Sequence, residues 1–256
     1  IRYAGLAVGL KPSATECEAR LRGLEQIMYS KIITLMMHRT LLIFAKQPAA
    51  GRTKTRLCPP LSHAAAAELY ACFLRDILAL ARQVPATSRV IVYQPEEAAG
   101  YFAALAPDFA LLPQQGADLG ERMDRCFTTV LGAGPGAAVL IGSDLPTLPI
   151  SYVNQSFALL GAHDLVLGPS DDGGYYLIGM RHPHPRLLRN VTMSTPTVLR
   201  DTLAIAAELA LRVALLPGWY DVDTPADLAR LRAELAVAPA TVAPHTRAWL
   251  ATFADR

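Results

Sequence analysis

LLIFAKQPAAGRTKTRL, residues 41–57, decides how the rest of the chain is read. Leu41–Ala45 is an uncharged apolar run, too short for a helix and too apolar for a surface loop, so it reads as a buried strand. It empties at once into four cations, Lys46, Arg52, Lys54 and Arg56, spaced by Pro48 and Gly51. A buried strand that ends in a cationic, glycine-containing loop is the pattern of an open parallel sheet, where ligands bind beyond the carboxyl ends of the strands. Gly51 lets backbone N–H groups approach phosphate oxygens, and the cations neutralise them. The spacing is not that of a Walker loop, which needs GxxxxGK followed by Ser or Thr. The plainer alternative is a solvated surface loop; its position directly after a buried strand argues against that. Lys54 and Arg56 alternate with Thr53 and Thr55, so an extended backbone would present both cations on one face, suited to a diphosphate.

Outward from this stretch a rhythm appears. Apolar runs RVIVY (89–93), FALLP (109–113), AAVLIG (137–142) and DLVLG (164–168) recur, and YYLIGM (175–180) and RVALLP (212–217) add two more. Between them lie amphipathic helical segments such as 62–83 and 119–131. Short apolar strands alternating with helices predict an α/β three-layer sandwich with a mainly parallel mixed sheet. YYLIGM follows DLVLG after only a short turn, so these two are expected to run antiparallel. Three segments are expected: an appendage at residues 1–37, a compact domain at 38–235, and an Ala/Pro linker with a tail at 236–256. In the first, Ser13 and Glu16 have capping-box spacing, and an ordinary extra helix is the equal alternative. In the tail, Trp249 and Phe253 are four apart and share a helix face, with docking on its own domain as the favoured reading.

Composition narrows the classes. The chain of 256 residues is 52% hydrophobic and 18% charged, which is globular rather than disordered. A net charge of +2 does not point to a nucleic-acid partner. Cys17, Cys58, Cys72 and Cys126 are scattered with no CxxC pair, which argues against a zinc knuckle and for reduced thiols in a cytoplasm. No uncharged apolar stretch reaches the roughly 18 residues of a membrane span. The histidines form no metal set, and no GxSxG elbow is present.

Four more places follow strands. IGSDLP puts Asp144 at a strand end, where it either caps a turn or holds a hard cation such as Mg²⁺ or Mn²⁺. GPSDDGGYY carries Asp171 and Asp172 before Gly173, Gly174 and Tyr175; the glycines suit a tight turn, but two carboxylates exceed what a turn needs. In DVDTPADL, Thr224 and Pro225 open a helix with Asp223 or Thr224 as its N-cap; capping explains one Asp and leaves Asp221 without a structural task, and an extended Asp-x-Asp points both carboxylates the same way, which beside Asp144 suits a divalent cation. QQGADLGERM puts Asp118 at a helix start and Arg122 one turn in, which is either plain capping or an anion contact.

Taken in order, FAKQPAAGRTKTRL, QGADLGERM, VLIGSDLP, LVLGPSDDGGYYLIGM and DVDTPADL resemble the glycosyltransferase-A-like (GT-A) family known as radical-SAM/selenodomain-associated transferase 1, or arsenosugar-biosynthesis glycosyltransferases. The resemblance spans about residues 40–235. It implies a nucleotide-diphospho-sugar transferase fold, shared with small nucleotidyltransferases. It implies that the basic loop takes a nucleotide phosphate, that Asp144 stands at the metal-binding DxD position, and that Asp221 and Asp223 complete the metal site. It places the acceptor or the sugar over Asp172–Tyr175. A full DxD would carry Asp at 142, where this chain has Gly142.

The resulting expectation is a metal-dependent transferase. It would use a nucleotide-activated donor, a nucleotide sugar, with a divalent cation and a small-molecule acceptor. Lys46, Gly51, Arg52, Lys54, Arg56 and Arg122 would bind phosphate, Gly173, Gly174 and Tyr175 would bind substrate, and Asp171 or Asp172 would accept the acceptor's proton. The alternatives are a nucleotidyltransferase that joins an NTP to a small metabolite, and a nucleotide-binding protein without catalysis.

Overall fold

The computed structural model describes residues 38–254. The appendage expected at 1–37 and the capping-box reading at Ser13 lie outside the described residues.

Seven strands form one mixed sheet in the order β3-β2-β1-β4-β6-β5-β7. They are β1 (His38–Lys46), β2 (Ser88–Gln94), β3 (Ala110–Pro113), β4 (Gly136–Ile141), β5 (Leu165–Pro169), β6 (Tyr175–Met180) and β7 (Val213–Leu215). β6 pairs antiparallel with both β4 and β5, as its short connection requires; the remaining pairs are parallel. The opening run is the middle of β1, where Leu41, Leu42 and Ile43 are fully buried. It is paired on both sides, Leu42 with Val90 and with Leu140.

Side chains alternate across each strand, so the sheet has two apolar faces to cover. Leu42, Val92, Leu140, Leu167 and Ile178 pack on one face with α3 (Leu119–Leu131), α5 (Pro185–Arg189) and α6 (Val198–Glu208). α4 (Ile150–Leu159) lies against β4, β5 and β6. It covers the other face, because a side chain on Gly179 would meet both Val139 and Leu160, the residue that ends α4. α2 (Ala99–Leu105) follows β2 and packs on β2 and β3.

A second apolar cluster sits beside the sheet. α1 (His63–Gln83), capped by the Ser62 hydroxyl, contributes Leu69, Tyr70 and Phe73. α7 (Pro225–Val237) adds Leu228, Leu231 and Leu235, and opens with the capping box of Thr224 and Asp227. The stretch expected as a linker and tail forms α8 (Pro244–Ala254), which lies along α1. Buried Asp76 of α1 accepts the backbone N–H groups of His245 and Thr246 at the start of α8. Trp249 and Phe253 stack with ring centroids 4.7 Å apart, as their spacing predicts.

At the middle of the sheet the connections diverge. From β1 the chain moves outward to β2 and β3, then returns to β4 on the other side of β1. A cleft opens beyond the carboxyl ends of β1 and β4, where the two connections leave in opposite directions.

Candidate functional site

The cleft measures about 720 Å³ and is lined from the ends of β1, β2, β3 and β4 and from the segment before α7. The loop after β1 does not run extended. Thr53 is buried and closes a turn, its amide donating to the Ala49 carbonyl and its hydroxyl bonding the Ala49 backbone. Gly51 turns at φ +73° and Lys54 at φ +50°, and Thr55–Leu57 forms a short 3-10 turn. The extended backbone that would set Lys54 and Arg56 side by side is therefore absent. Both cations nevertheless line the cleft and reach the same carboxylate, that of Asp223, one from a buried position and the other from the rim. Arg56 stands exposed 3.8 Å from Asp223, whereas the Lys54 side chain is only 6% exposed.

Lys54 is where the site closes. Its Nζ donates to Asp144 Oδ2 at 2.7 Å and to Asp223 Oδ1 at 2.6 Å. Asp144 follows β4 and Asp223 precedes α7, and the Val222 amide donates to the Asp144 carbonyl, tying the two segments together. Burial pulls the Lys54 ammonium toward losing its proton, but Asp144 and Asp223 outweigh it and hold the group well above the usual lysine range. Asp223 is opposed by burial as well, and Lys54 holds it below the usual carboxylate range. Asp221 is of a different kind. Burial first, and the Asp144 charge second, push its carboxyl up to about 8, against a hydrogen bond from the Ser170 hydroxyl at 2.9 Å.

Around this centre lie groups that carried no signal in the sequence. Tyr70 of α1 accepts the Lys46 amide and bonds the Ser143 hydroxyl at 2.7 Å; burial raises its phenol to about 12. Gln94 and Gln114, at the ends of β2 and β3, also line the cleft. The Gln94 side chain accepts from Arg122 at 3.0 Å, and the Gln114 amide donates to the Val92 carbonyl at 2.9 Å. Both follow strands, so the rule that found the charged residues would have found them, had uncharged amides been admitted.

Of the expected phosphate-binding residues, Lys46, Arg52, Lys54, Arg56 and Arg122 line the cleft, and Gly51 lies just outside it in the turn. Arg122 is steered by Gln94 and by the Asp118 carbonyl, while the Asp118 side chain caps α3, so capping and cleft lining coexist at this helix start. The acidic pair after β5 separates. Asp172 lines the cleft, its Oδ1 accepting the Gly174 amide at 2.9 Å. Asp171 lies outside the cleft and is paired with Arg230 of α7, because consecutive residues in this turn point opposite ways. Gly173 also lies outside, with φ +86°, and its backbone is pressed against Pro196 so closely that a side chain would overlap the Pro196 carbonyl.

Beside the cleft opens a second cavity of about 220 Å³. Gly174, Tyr175 and Asp221 line it, and Gly142 and Asp172 belong to both cavities. Among the described residues no three carboxylate, imidazole or thiolate side chains are grouped as a metal cage. The Lys54 ammonium stands between Asp144 and Asp223 instead. No helix of the described residues is long and apolar enough to cross a membrane.

Comparison with known proteins gives this geometry a context. Residues 77–195 match the family described as "Uncharacterized protein conserved in bacteria (DUF2064)". A crystal structure of a candidate nucleotide-diphospho-sugar transferase from Desulfovibrio desulfuricans G20 is 34% identical to this chain. The match covers 85% of this chain and 95% of that one, with a TM-score of 0.79. More distant in sequence are a cytidylyltransferase from Leptospira borgpetersenii and a nucleotidyl transferase from Methanothermobacter. The first is 12% identical with TM-score 0.52, covering 86% of this chain and 96% of that one; the second is 13% identical with TM-score 0.51, covering 78% and 98%. These two share the fold. No curated protein matches the chain.

Proposed function

The chain belongs to one family with the Desulfovibrio protein, and its residues 77–195 match the DUF2064 description; from that premise we propose that it is a transferase that uses a nucleotide sugar and passes the sugar to a small-molecule acceptor. The observation that carries this reading is the convergence of Lys54, Asp144 and Asp223 in a cleft whose walls also bring Lys46, Arg52 and Arg122. A diphosphate leaving group gathers negative charge as its bond to the sugar breaks. Cations fixed in advance stabilise that charge without reorganising, and one well-placed donor contributes roughly 3 kcal/mol.

In this reading Lys46, Arg52 and Arg122 hold the phosphates, the turn at Gly51 lets the loop fold over them, and Arg56 contacts them from the rim. The acceptor hydroxyl attacks the sugar carbon that carries the phosphate. The new carbon–oxygen bond forms, the nucleoside diphosphate leaves with the electron pair of the old one, and Asp172 takes the hydroxyl proton. Asp171, turned toward Arg230, has no part in this step.

A divalent cation, which the fold implies, is compatible with the donor set here. Two carboxylates already converge on one cationic nitrogen at hydrogen-bonding distance, and hard oxygen donors suit Mg²⁺ or Mn²⁺. Asp144 and Asp223, with Asp221 behind them, would hold it, and Lys54 would then be free for phosphate. When bound, such an ion supplies Lewis-acid stabilisation of the leaving diphosphate. A cytoplasmic location follows from the same reading, since nucleotide-activated donors are met there and the described Cys58, Cys72 and Cys126 are free thiols.

The test is a thermal-shift panel of NTPs, nucleoside diphosphates and nucleotide sugars, each with and without Mn²⁺. A true ligand at 100 times its dissociation constant adds about 2.7 kcal/mol. Release of nucleoside diphosphate from a nucleotide sugar supports the proposal. Release of pyrophosphate from an NTP replaces it with nucleotidyl transfer. No stabilisation by any member of the panel overturns it.

A further inference from the structure

A short run of hydrogen bonds in the wall of the cleft has a direction. The pairing of β1 with β4 ends at Ile43 and Ile141. Beyond that point the Lys46 amide donates to the Tyr70 hydroxyl at 3.0 Å, and that hydroxyl lies 2.7 Å from Ser143 Oγ. Tyr70 and Ser143 are each only 4% exposed. An amide N–H can only donate, so the phenol oxygen accepts from Lys46. Tyr70 makes no other hydrogen bond among the described residues, which leaves Ser143 Oγ as the acceptor of its own hydrogen. Were Ser143 to donate to the phenol instead, the phenol hydrogen would be buried without an acceptor, at a cost in free energy. The order is therefore Lys46 N–H to Tyr70, then Tyr70 O–H to Ser143.

Ser143 then has a hydrogen to give. Its hydroxyl makes no second hydrogen bond among the described residues, and Ser143 lines the cleft with Lys46, Arg52, Lys54 and Tyr70. The hydroxyl is also held from two sides. The Tyr70 ring packs with Leu57, Leu69, Phe73 and Val222 in the cluster beside the sheet. The carbonyl of Asp144, the next residue, accepts the Val222 amide at 3.1 Å. A donor fixed in this way and left without an acceptor is preorganised for an oxygen that arrives with a ligand. An oxygen that only accepts suits it, and a phosphate oxygen is of that kind. A phosphate drawn to Lys46 and Arg52 also comes near the Asp144 carboxylate, where a neutral O–H offsets part of the repulsion without adding charge.

We infer that Ser143 is a further binding residue for the donor, giving its hydroxyl hydrogen to a phosphate oxygen, and that Tyr70 is a positioning residue that sets the direction of that hydrogen from the end of β1. Phosphate recognition then combines charged groups from the cationic loop with one neutral donor from the end of β4. Tyr70 stands in a core helix and acts only through Ser143. This inference rests on the transferase reading above.

Inorganic pyrophosphate is the probe, with its affinity for the full chain read by calorimetry and the fold of each variant by circular dichroism. Ser143→Ala should weaken pyrophosphate at least about tenfold, the loss of one hydrogen bond to a charged acceptor. Tyr70→Phe should weaken it about threefold, because Ser143 keeps its hydroxyl and loses the fixed direction. In the Ser143→Ala background the same tyrosine change should cost nothing further, whereas a merely structural tyrosine would cost the same in both backgrounds. Uridine and adenosine, which carry ribose hydroxyls and no phosphate, should bind Ser143→Ala and the unaltered chain alike. Unchanged pyrophosphate affinity in Ser143→Ala overturns the inference. Additive losses in the double variant overturn the part given to Tyr70. A loss for either nucleoside as large as that for pyrophosphate overturns the phosphate contact in favour of a sugar hydroxyl. If the unaltered chain binds neither pyrophosphate nor any nucleotide of the thermal-shift panel, the transferase reading itself falls, and this inference with it.

Discussion

Asp171 and Asp172 are adjacent in sequence and part company in space, whereas Asp144 and Asp223, from distant parts of the chain, meet on one ammonium group. The first pair lies in a turn between two antiparallel strands, where successive side chains diverge: Asp171 goes to Arg230 and the surface, Asp172 to the cleft. The second pair lies at the ends of separate segments that the sheet brings to one edge. The difference teaches that the carboxyl edge of the sheet is a better guide to shared chemistry than proximity in sequence, because the fold gathers distant segments at that edge and scatters turn neighbours.

The most severe test removes one member of the distant pair. Asp144→Asn and Asp223→Asn should each lower turnover with a nucleotide sugar and Mn²⁺ by at least about 100-fold, the scale of losing one preorganised charge contact. Circular dichroism should report an intact fold in both, since neither side chain is part of the core. Unchanged Mn²⁺ affinity in both variants would show that they share no ion.

Splitting the adjacent pair comes next. Asp172→Asn should cost about 100-fold in turnover if it takes the proton. Asp171→Asn should cost less than about threefold. Equal losses would erase the distinction drawn between them.

Lys54→Met sharpens the comparison from the cation's side. Without the ammonium, the two carboxylates should bind Mn²⁺ about tenfold more tightly in nucleotide-free protein, read by calorimetry, because a competing charge has been taken away. The same variant should bind a nucleoside diphosphate more weakly, and a nucleoside without loss. Arg56→Ala, at the exposed rim, should show the same selectivity to a smaller degree. Weaker Mn²⁺ binding in Lys54→Met would mean that the lysine organises the carboxylates and does not compete for them.

The smallest effect belongs to Arg230→Ala. It breaks an exposed ion pair with Asp171 and a stacking contact over Tyr220, and should cost about 1 kcal/mol or less in stability with turnover intact. A large loss of turnover would bring Asp171 back into the chemistry.

Much of this architecture is legible in the amino-acid sequence. β1 through β6, the antiparallel β6 and the helix starts at Ser62, Asp118 and Thr224 all follow from apolar runs and capping chemistry, which are local. Asp144 is legible as a strand-end carboxylate, and Asp223 as a member of the Asp-x-Asp that precedes a helix. Their partner is not. Lys54 reaches them across 90 and 169 residues, and no local pattern encodes which of four cations turns inward. The extended reading of Lys54 and Arg56 fails for a reason that lies in the backbone, a lysine in the left-handed region, where a residue other than glycine is uncommon. Tyr70 is hidden in the same way, as an aromatic residue in a core helix whose hydroxyl happens to reach the strand end.

Leu57 follows directly on the cationic turn, and its side chain is fully buried in the cluster that α8 completes with Leu250, Trp249 and Phe253. The cationic loop is therefore seated on a wall supplied partly by the last described helix, itself clasped by Asp76. For anyone engineering this protein, that helix is no neutral handle. A fusion, a cleavage or a crosslink that pries α8 from α1 would act on the seat of Lys54, and a lesion far from the cleft would masquerade as a defect in donor affinity.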